Sequence, residues 1–242
     1  MSTKESAVDA LVALGVSLTL STGLTSADAI LGNVLQYGKV SQIAGESGVG
    51  KTQLCYAVVA RFLLHTTFSV AWFDSNGSFR AHRLRQFLLG MEEIDDNAFE
   101  TLLERVAVTH IADHLELVEA LELVDDYFEE YCIRLLVIDN MSEMMDERLL
   151  DENMTRTAIM AVITNRIGNL ANIGCTVVLI SCTVQEDDEK NELYRSWIQQ
   201  MHGRVILRRE REDVRTICSS KMSGDSSIGH FKINRDGLQN VN

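Results

Sequence analysis

Residues 45–52 read Gly45-Glu46-Ser47-Gly48-Val49-Gly50-Lys51-Thr52 and satisfy G-x-x-x-x-G-K-[ST] at every fixed position. Such a loop works only between a strand that delivers it and a helix whose N-terminus it opens. Both are written in the flanking residues: Val40–Ala44 reads as a strand, and Lys51–His65 as a helix with Leu54, Val58 and Phe62 on one face. The residue types follow from the chemistry. Glycines let backbone N–H groups turn inward around phosphate oxygens, and the helix N-terminus adds a partial positive charge. Lys51 reaches the β- and γ-phosphates of a nucleoside triphosphate, and the Thr52 hydroxyl ligates Mg²⁺. ATP with Mg²⁺ is the expected ligand of these eight residues.

The rest of the chain keeps the same alternation of short apolar runs and longer amphipathic ones. Ser69–Asp74, Arg105–Thr109, Arg134–Asp139 and Cys175–Ser181 read as strands. Phe79–Leu89, Leu115–Tyr131 and Thr155–Asn172 read as helices, the second with Leu117, Leu121, Val124 and Phe128 inward and acids outward. Arg204–Arg208, Asp213–Ser219 and Gly229–Asn234 read as short antiparallel strands. The fold class is therefore α/β: a mostly parallel central sheet flanked by helices, with antiparallel hairpins at the C-terminal end. Residues 1–20 precede the first turn signal, Ser21-Thr22-Gly23, and read as a linker or partner-docking segment; residues 21–242 form the core domain.

Composition narrows the classes further. At 242 residues, 46% hydrophobic and 24% charged, the chain can bury a large core. It has no proline, which excludes Pro-rich linkers and PPII ligand segments. The net charge of −13 is regional. Residues 92–152 carry 20 acidic and 3 basic side chains, the remainder 15 acidic and 19 basic. An anionic ligand elsewhere on the surface is thus compatible with the overall charge. The five cysteines, 55, 132, 175, 182 and 218, show no metal-type spacing and read as reduced thiols of a nuclear or cytosolic protein. The apolar stretch Ala7–Leu20 contains Asp9 and is too short to span a bilayer.

A phosphate loop needs a carboxylate on the metal side, at the end of a buried strand. Leu135-Leu136-Val137-Ile138-Asp139 supplies it. Lys51 and Asp139 are the candidate catalytic residues, and Thr52 and Asp139 the candidate Mg²⁺ ligands.

Together these residues resemble a RecA-type recombinase core, over roughly residues 20–240. The match rests on Thr22-Gly23 with Ala27–Leu31, on the phosphate loop followed by Gln53, and on Asp74-Ser75-Asn76-Gly77-Ser78-Phe79-Arg80 with Arg83. It continues through Arg204-Val205-Ile206-Leu207, Thr216-Ile217-Cys218 and Phe231–Gly237. Within that family the chain is similar to the paralogues of the eukaryotic strand-exchange recombinase, with Asp74–Gly77 and Arg195-Ser196-Trp197 pointing to the D-type. The resemblance implies a RecA-like ATPase core, ATP near a protomer interface and Arg83 stacked on the adenine, with Gln53 beside the nucleotide. It also implies heteromeric complexes with another paralogue or accessory protein, action on recombinase filaments on single-stranded DNA, work at stalled replication forks, and a nuclear location.

Departures from the family pattern sharpen the expectation. Asn76 stands where active members place the glutamate that activates the attacking water. An amide positions a water but does not accept its proton near neutral pH. Cys182 stands where the γ-phosphate-sensing glutamine is expected. No segment corresponds to the family's small N-terminal DNA-binding domain. The two DNA-facing loops map to Met144–Asn153 and Gln185–Gln200; the first is acidic and the second begins with Glu186-Asp187-Asp188-Glu189, so both repel phosphate.

The expectation is an ATP-binding accessory subunit of homologous recombination with weak or absent hydrolysis. Three alternatives stay open: a DNA-stimulated ATPase whose base is Glu46 or a partner's carboxylate, a scaffold with a vestigial site, and a small-molecule kinase. Arg204, Arg208, Arg209, Arg211 and Arg215 read either as a DNA or acidic-partner contact or as a solvated face. Arg80, His82, Arg83 and Arg85 form a second basic group. The acidic region reads as solvated surface or as a dock for a basic partner. Trp72 reads as core, Trp197 as packing or base stacking, and Met141, Met144 and Met145 as local packing. His110, His114 and His202 lack metal-type company.

Overall fold

The computed structural model describes residues 19–144, 153–182, 201–211, 213–219 and 228–241. A nine-stranded sheet runs through them in the order β3-β2-β4-β5-β1-β6-β7-β8-β9. β1 (Val40–Gly45), β2 (Ser69–Asp74), β3 (Val106–His110), β4 (Ile133–Asp139), β5 (Thr176–Cys182) and β6 (Gly203–Arg209) are mutually parallel. β7 (Val214–Ser219), β8 (Ile228–Asn234) and β9 (Gly237–Asn240) follow antiparallel. The helices are α1 (Thr25–Leu31), α2 (Lys51–His65), α3 (Ala81–Met91), α4 (Asp96–Glu104), α5 (His114–Tyr127), α6 (Met141–Met144) and α7 (Asn153–Asn172).

The near-continuous apolar strands are explained by burial on both faces, as parallel sheets require. Val70 and Trp72, Leu135 and Val137, Val178 and Ile180 point to a core shared with α1, α2 and α3. The alternate residues Ala71 and Phe73, Leu136 and Ile138, Val177 and Leu179 point to a second core under α5 and α7. Trp72 is fully buried and stacks on Tyr56, with ring centroids 5.2 Å apart. It is a core residue.

Lys51–His65 and Ser69–Asp74 have the boundaries read from the sequence. Elsewhere the ends differ for local reasons. The helix expected from Phe79 starts at Ala81, because the Phe79 N–H is taken by the Asp74 carboxylate and the Arg80 N–H by the Tyr56 hydroxyl. The helix expected to reach Tyr131 stops at Tyr127; the turn that follows carries Cys132 at φ 51°. Its N-terminus is fixed by Asp113, whose side chain accepts from Leu115 and Glu116 N–H. Four elements are not legible in the sequence reading: α1, α4 (capped by Asp95 in the same way), the four-residue α6 and β9. Of the two candidate DNA-facing loops, Met144–Asn153 and Gln185–Gln200, residues 145–152 of the first and all of the second lie outside the described residues, as do Met145, Trp197 and residues 1–18.

Strand register fixes the site. Asp74 pairs with Asp139 across β2 and β4, and Gly45 with Cys182 across β1 and β5. The carboxyl ends of all four strands therefore meet at one rim of the sheet, where open α/β sheets place their ligands.

Candidate nucleotide-binding site

At that rim lies a cleft of about 440 Å³. Ser47, Gly48, Gly50, Lys51, Thr52 and Gln53 form one wall; Asn76, Ser78, Asp139, Asn140 and Cys182 form the other. Gly45 and Val49 are buried beneath the loop, and Glu46 is exposed outside the cleft lining. Two glycines are needed for conformation, Gly48 at φ 72° and Gly50 at φ 108°. Gly45 is needed for space, since a β-carbon there would stand 2.6 Å from the Leu207 carbonyl oxygen.

Lys51 is the best-placed cation of the cleft. Its ammonium donates to the carbonyls of Gly45 (2.8 Å) and Glu46 (2.9 Å), folded back over the loop it would share with a phosphate. Burial pushes its pKa down, with the Asp139 charge acting against the shift. The Thr52 hydroxyl donates to Asp139 Oδ2 at 2.7 Å. The Ser78 hydroxyl lies 3.1 Å from the same oxygen and 3.3 Å from Asp74 Oδ1. Burial pushes the Asp139 carboxyl up. The bonds from Thr52 and Ser78 and the Lys51 charge oppose that shift, and the Asp74 charge reinforces it.

Asp74 does different work. It accepts from the N–H groups of Ser78 and Phe79, both at 2.9 Å, and so shapes the turn that carries Asn76. Asn140 is held by the Ser75 hydroxyl, which accepts its N–H at 2.8 Å, and reaches Cys182 Sγ with its amide at 3.7 Å. Asp74, Ser78 and Asn140 were unassigned by role from the sequence. The available signal was two buried strands both ending in aspartate, which parallel pairing sets side by side.

The residues fit a magnesium nucleotide. A glycine-rich loop at a helix N-terminus and one buried ammonium suit phosphate, and the Thr52 and Ser78 hydroxyls converging on the Asp139 carboxylate supply the hard oxygens that Mg²⁺ prefers. Among the described residues there is no group of three or more His, Cys, Asp or Glu that could hold a metal by itself, so phosphate oxygens would complete the coordination.

The family model described as AAA domain matches residues 9–187, most of the chain. The chain belongs to the AAA-domain family, in its RecA-like form. Among similar members is RAD51-like protein 1 of Caenorhabditis elegans, 28% identical over 244 residues that cover 98% of this chain and 96% of the relative. DNA repair protein RAD51 homolog 4 of Bos taurus is 27% identical over 198 residues, 78% of this chain and 60% of the relative. DNA repair and recombination protein RadA of Methanoculleus marisnigri is 32% identical over 136 residues, 52% of this chain and 42% of the relative. These relatives identify this AAA-domain protein as a RecA-like recombinase paralogue.

Arg83 stands apart from the cleft lining of this AAA-domain fold. Its guanidinium donates to Gln53 Oε1 (2.6 Å), Gln86 Oε1 (2.6 Å) and the Asn234 carbonyl (2.7 Å). It also lies 4.6 Å over the Phe87 ring. It thereby ties α2, α3 and the β8–β9 turn together, with one face already spent on an aromatic ring.

A second cavity, about 260 Å³ and mainly apolar, opens at the far edge of the sheet between β3 and α5. Ala107, Leu123, Val124 and Tyr127 line it. Ala107–His110 of the edge strand are exposed, as are Leu123, Tyr127 and Tyr131. Among the described residues, no helix is long and apolar enough to cross a membrane.

Proposed function

We propose that the chain is an ATP-binding accessory subunit of homologous recombination DNA repair that binds Mg²⁺-ATP and hydrolyses it slowly or not at all. The observation that carries this reading is Asn76. It lines the same cleft as Lys51, Thr52 and Asp139, it stands where the resemblance implies the water-activating glutamate, and it is an amide. Glu46, the one acid within Gly45–Thr52, does not line the cleft. Lys51 would bind the β- and γ-phosphates, Thr52 and Asp139 would hold Mg²⁺, and Gln53 and the free side of Arg83 would border the base. Bound Mg²⁺ supplies charge neutralisation across the phosphates.

Nucleotide then acts as an assembly ligand: its different contacts in two arrangements of the chain bias which partner surface is presented. The partners are another recombinase paralogue or accessory protein and the recombinase filament, which the subunit promotes or remodels, including at stalled replication forks in the nucleus. Single-stranded DNA is reached through the complex. Two surfaces support assembly. Among the described residues β3 is the edge strand of the sheet, pairing with β2 on one side beside the apolar cavity, an arrangement prone to pairing with another chain. The acidic surface of α4 and α5 favours a basic neighbour.

ATP turnover by the purified chain, with and without single-stranded DNA, beside direct ATP binding, tests the reading. Binding without turnover is expected, and Lys51→Ala should weaken binding at least tenfold. DNA-stimulated turnover by the isolated chain would instead make it an active motor. Unchanged affinity in Lys51→Ala would remove the site.

A further inference from the structure

We propose that Arg209 is a positioning residue for nucleotide binding, acting in the same chain by holding the Gly48 carbonyl outward so that the Val49 amide faces the loop interior. The inference rests on the reading of Gly45–Thr52 as the nucleotide site.

Its first support is register. Gly45 pairs with Leu207 across β1 and β6. Two residues further on, β6 runs beside the phosphate loop just after that loop leaves its own strand. There Arg209 Nη2 donates to the Gly48 carbonyl at 2.8 Å. A peptide unit is planar and trans, so fixing its C=O on one side fixes the following N–H on the other. The Val49 N–H accordingly points inward, towards Glu46 O at 3.3 Å. Glu46 O also accepts from Lys51. The loop interior thus closes on its own carbonyl, and an incoming phosphate oxygen would take over both donors at once. Arg209 stays outside and keeps the Val49 amide aimed during that exchange.

The second support is the cost of the arrangement. Arg209 lies directly opposite Arg215 across β6 and β7. Like charges at facing positions of an antiparallel pair are unfavourable. The facing strand position thus offers Arg209 no opposite charge, whereas the loop carbonyl offers it an acceptor. The adjacent Arg208 is exposed, pairs with Thr216 and points to the other face of the strand, which makes it an internal control.

The test compares calorimetric titrations of Mg²⁺-ATP and Mg²⁺-ADP into the wild-type chain and the Arg209→Ala, Arg209→Lys and Arg208→Ala variants. Amide exchange and melting of the nucleotide-free proteins are measured alongside. Arg209→Ala should weaken both nucleotides about three- to tenfold, the scale of one partly solvated charge-assisted hydrogen bond. Lysine should recover part of that loss, and Arg208→Ala should stay within twofold of wild type. Exchange of residues 46–50 should quicken in Arg209→Ala while the melting temperature holds.

Arg209→Ala affinity within twofold of wild type overturns the proposal. So does an equal loss in Arg208→Ala, which would report general electrostatics. A fall in melting temperature that parallels the lost affinity, without rescue by lysine, would reduce the contact to a structural one. If the wild-type chain binds neither nucleotide, the nucleotide reading falls and this inference with it. If it binds and Arg209→Ala binds equally well, only this inference falls.

Discussion

The δ-methyl of Ile233 on β8 stands 2.4 Å from where a β-carbon on Gly50 would be. The second strand after β6 is thus pressed against the last glycine of the phosphate loop, and the C-terminal hairpins buttress that loop from behind the cleft lining. Gly50 also sits at φ 108°, which an L side chain tolerates poorly. Gly50→Ala should therefore cost about 2–4 kcal/mol, strain and overpacking together. Ile233→Val removes the clashing methyl while leaving the strain, so the double variant should recover about half. Denaturant unfolding of the two single variants and the double checks this coupling. Simple additivity would mean that the hairpin does not bear on the loop.

Asn76 invites the reverse experiment. Asn76→Glu places a carboxylate in the cleft at the position the amide now holds. A positioned general base contributes about 10²–10⁴-fold in rate. Turnover should rise at least tenfold while ATP affinity changes less than threefold, read by phosphate release and by titration. No gain would show that the attacking water is not placed at residue 76, and would shift attention to Cys182 on the same wall.

Much of the site was legible because its chemistry is local in sequence. The loop is contiguous, and Asp139 closes an unbroken apolar run that only a buried strand explains. What was not legible depends on register or on chain-distant contacts. Asp74 meets Asp139 only through parallel pairing, and Tyr56 caps Arg80 across 24 residues. Arg209 reaches Gly48 across 161 residues. The missed α4 carries Phe99, Leu102 and Leu103 at helical spacing but spans only nine residues and buries none of them fully, so it lacked the length that marks a helix; its Asp95 cap was the other readable sign. The helix boundary at Ala81 was misread because side chains, not propensity, end the preceding turn.

Tyr56 carries a pH signature. It is buried against Trp72, and burial pushes its hydroxyl up to about 12, only partly offset by the Arg80 N–H that it accepts at 2.6 Å. A phenol whose folded pKa exceeds its unfolded value near 10 holds its proton longer in the folded state. Its contribution is intact below pH 10 and is lost as pH rises towards 12. Spectrophotometric titration should show Tyr56 ionising late, together with Tyr37, which burial also shifts upward. Tyr56→Phe should remove one late-titrating group and cost about 1 kcal/mol for the orphaned Arg80 amide. Ionisation of all tyrosines near pH 10 in the folded protein would contradict this placement.

Asp139 sets stability against ligand binding. Asp139 is 2% exposed and its pKa is raised chiefly by burial, which the Lys51 charge only partly offsets, so without bound Mg²⁺ the charged form burdens the fold. Asp139→Asn keeps an acceptor for the Thr52 and Ser78 hydroxyls and removes the charge. The nucleotide-free variant should melt about 2 °C higher, the shift that 0.5–1 kcal/mol produces in a domain of this size. Mg²⁺-ATP should then stabilise it far less than it stabilises wild type, because the metal-side carboxylate is gone. Paired melting curves with and without Mg²⁺-ATP give both numbers. A lower melting temperature in the nucleotide-free variant would mean that the Asp139 charge supports the fold through its hydroxyl partners and Lys51 rather than burdening it.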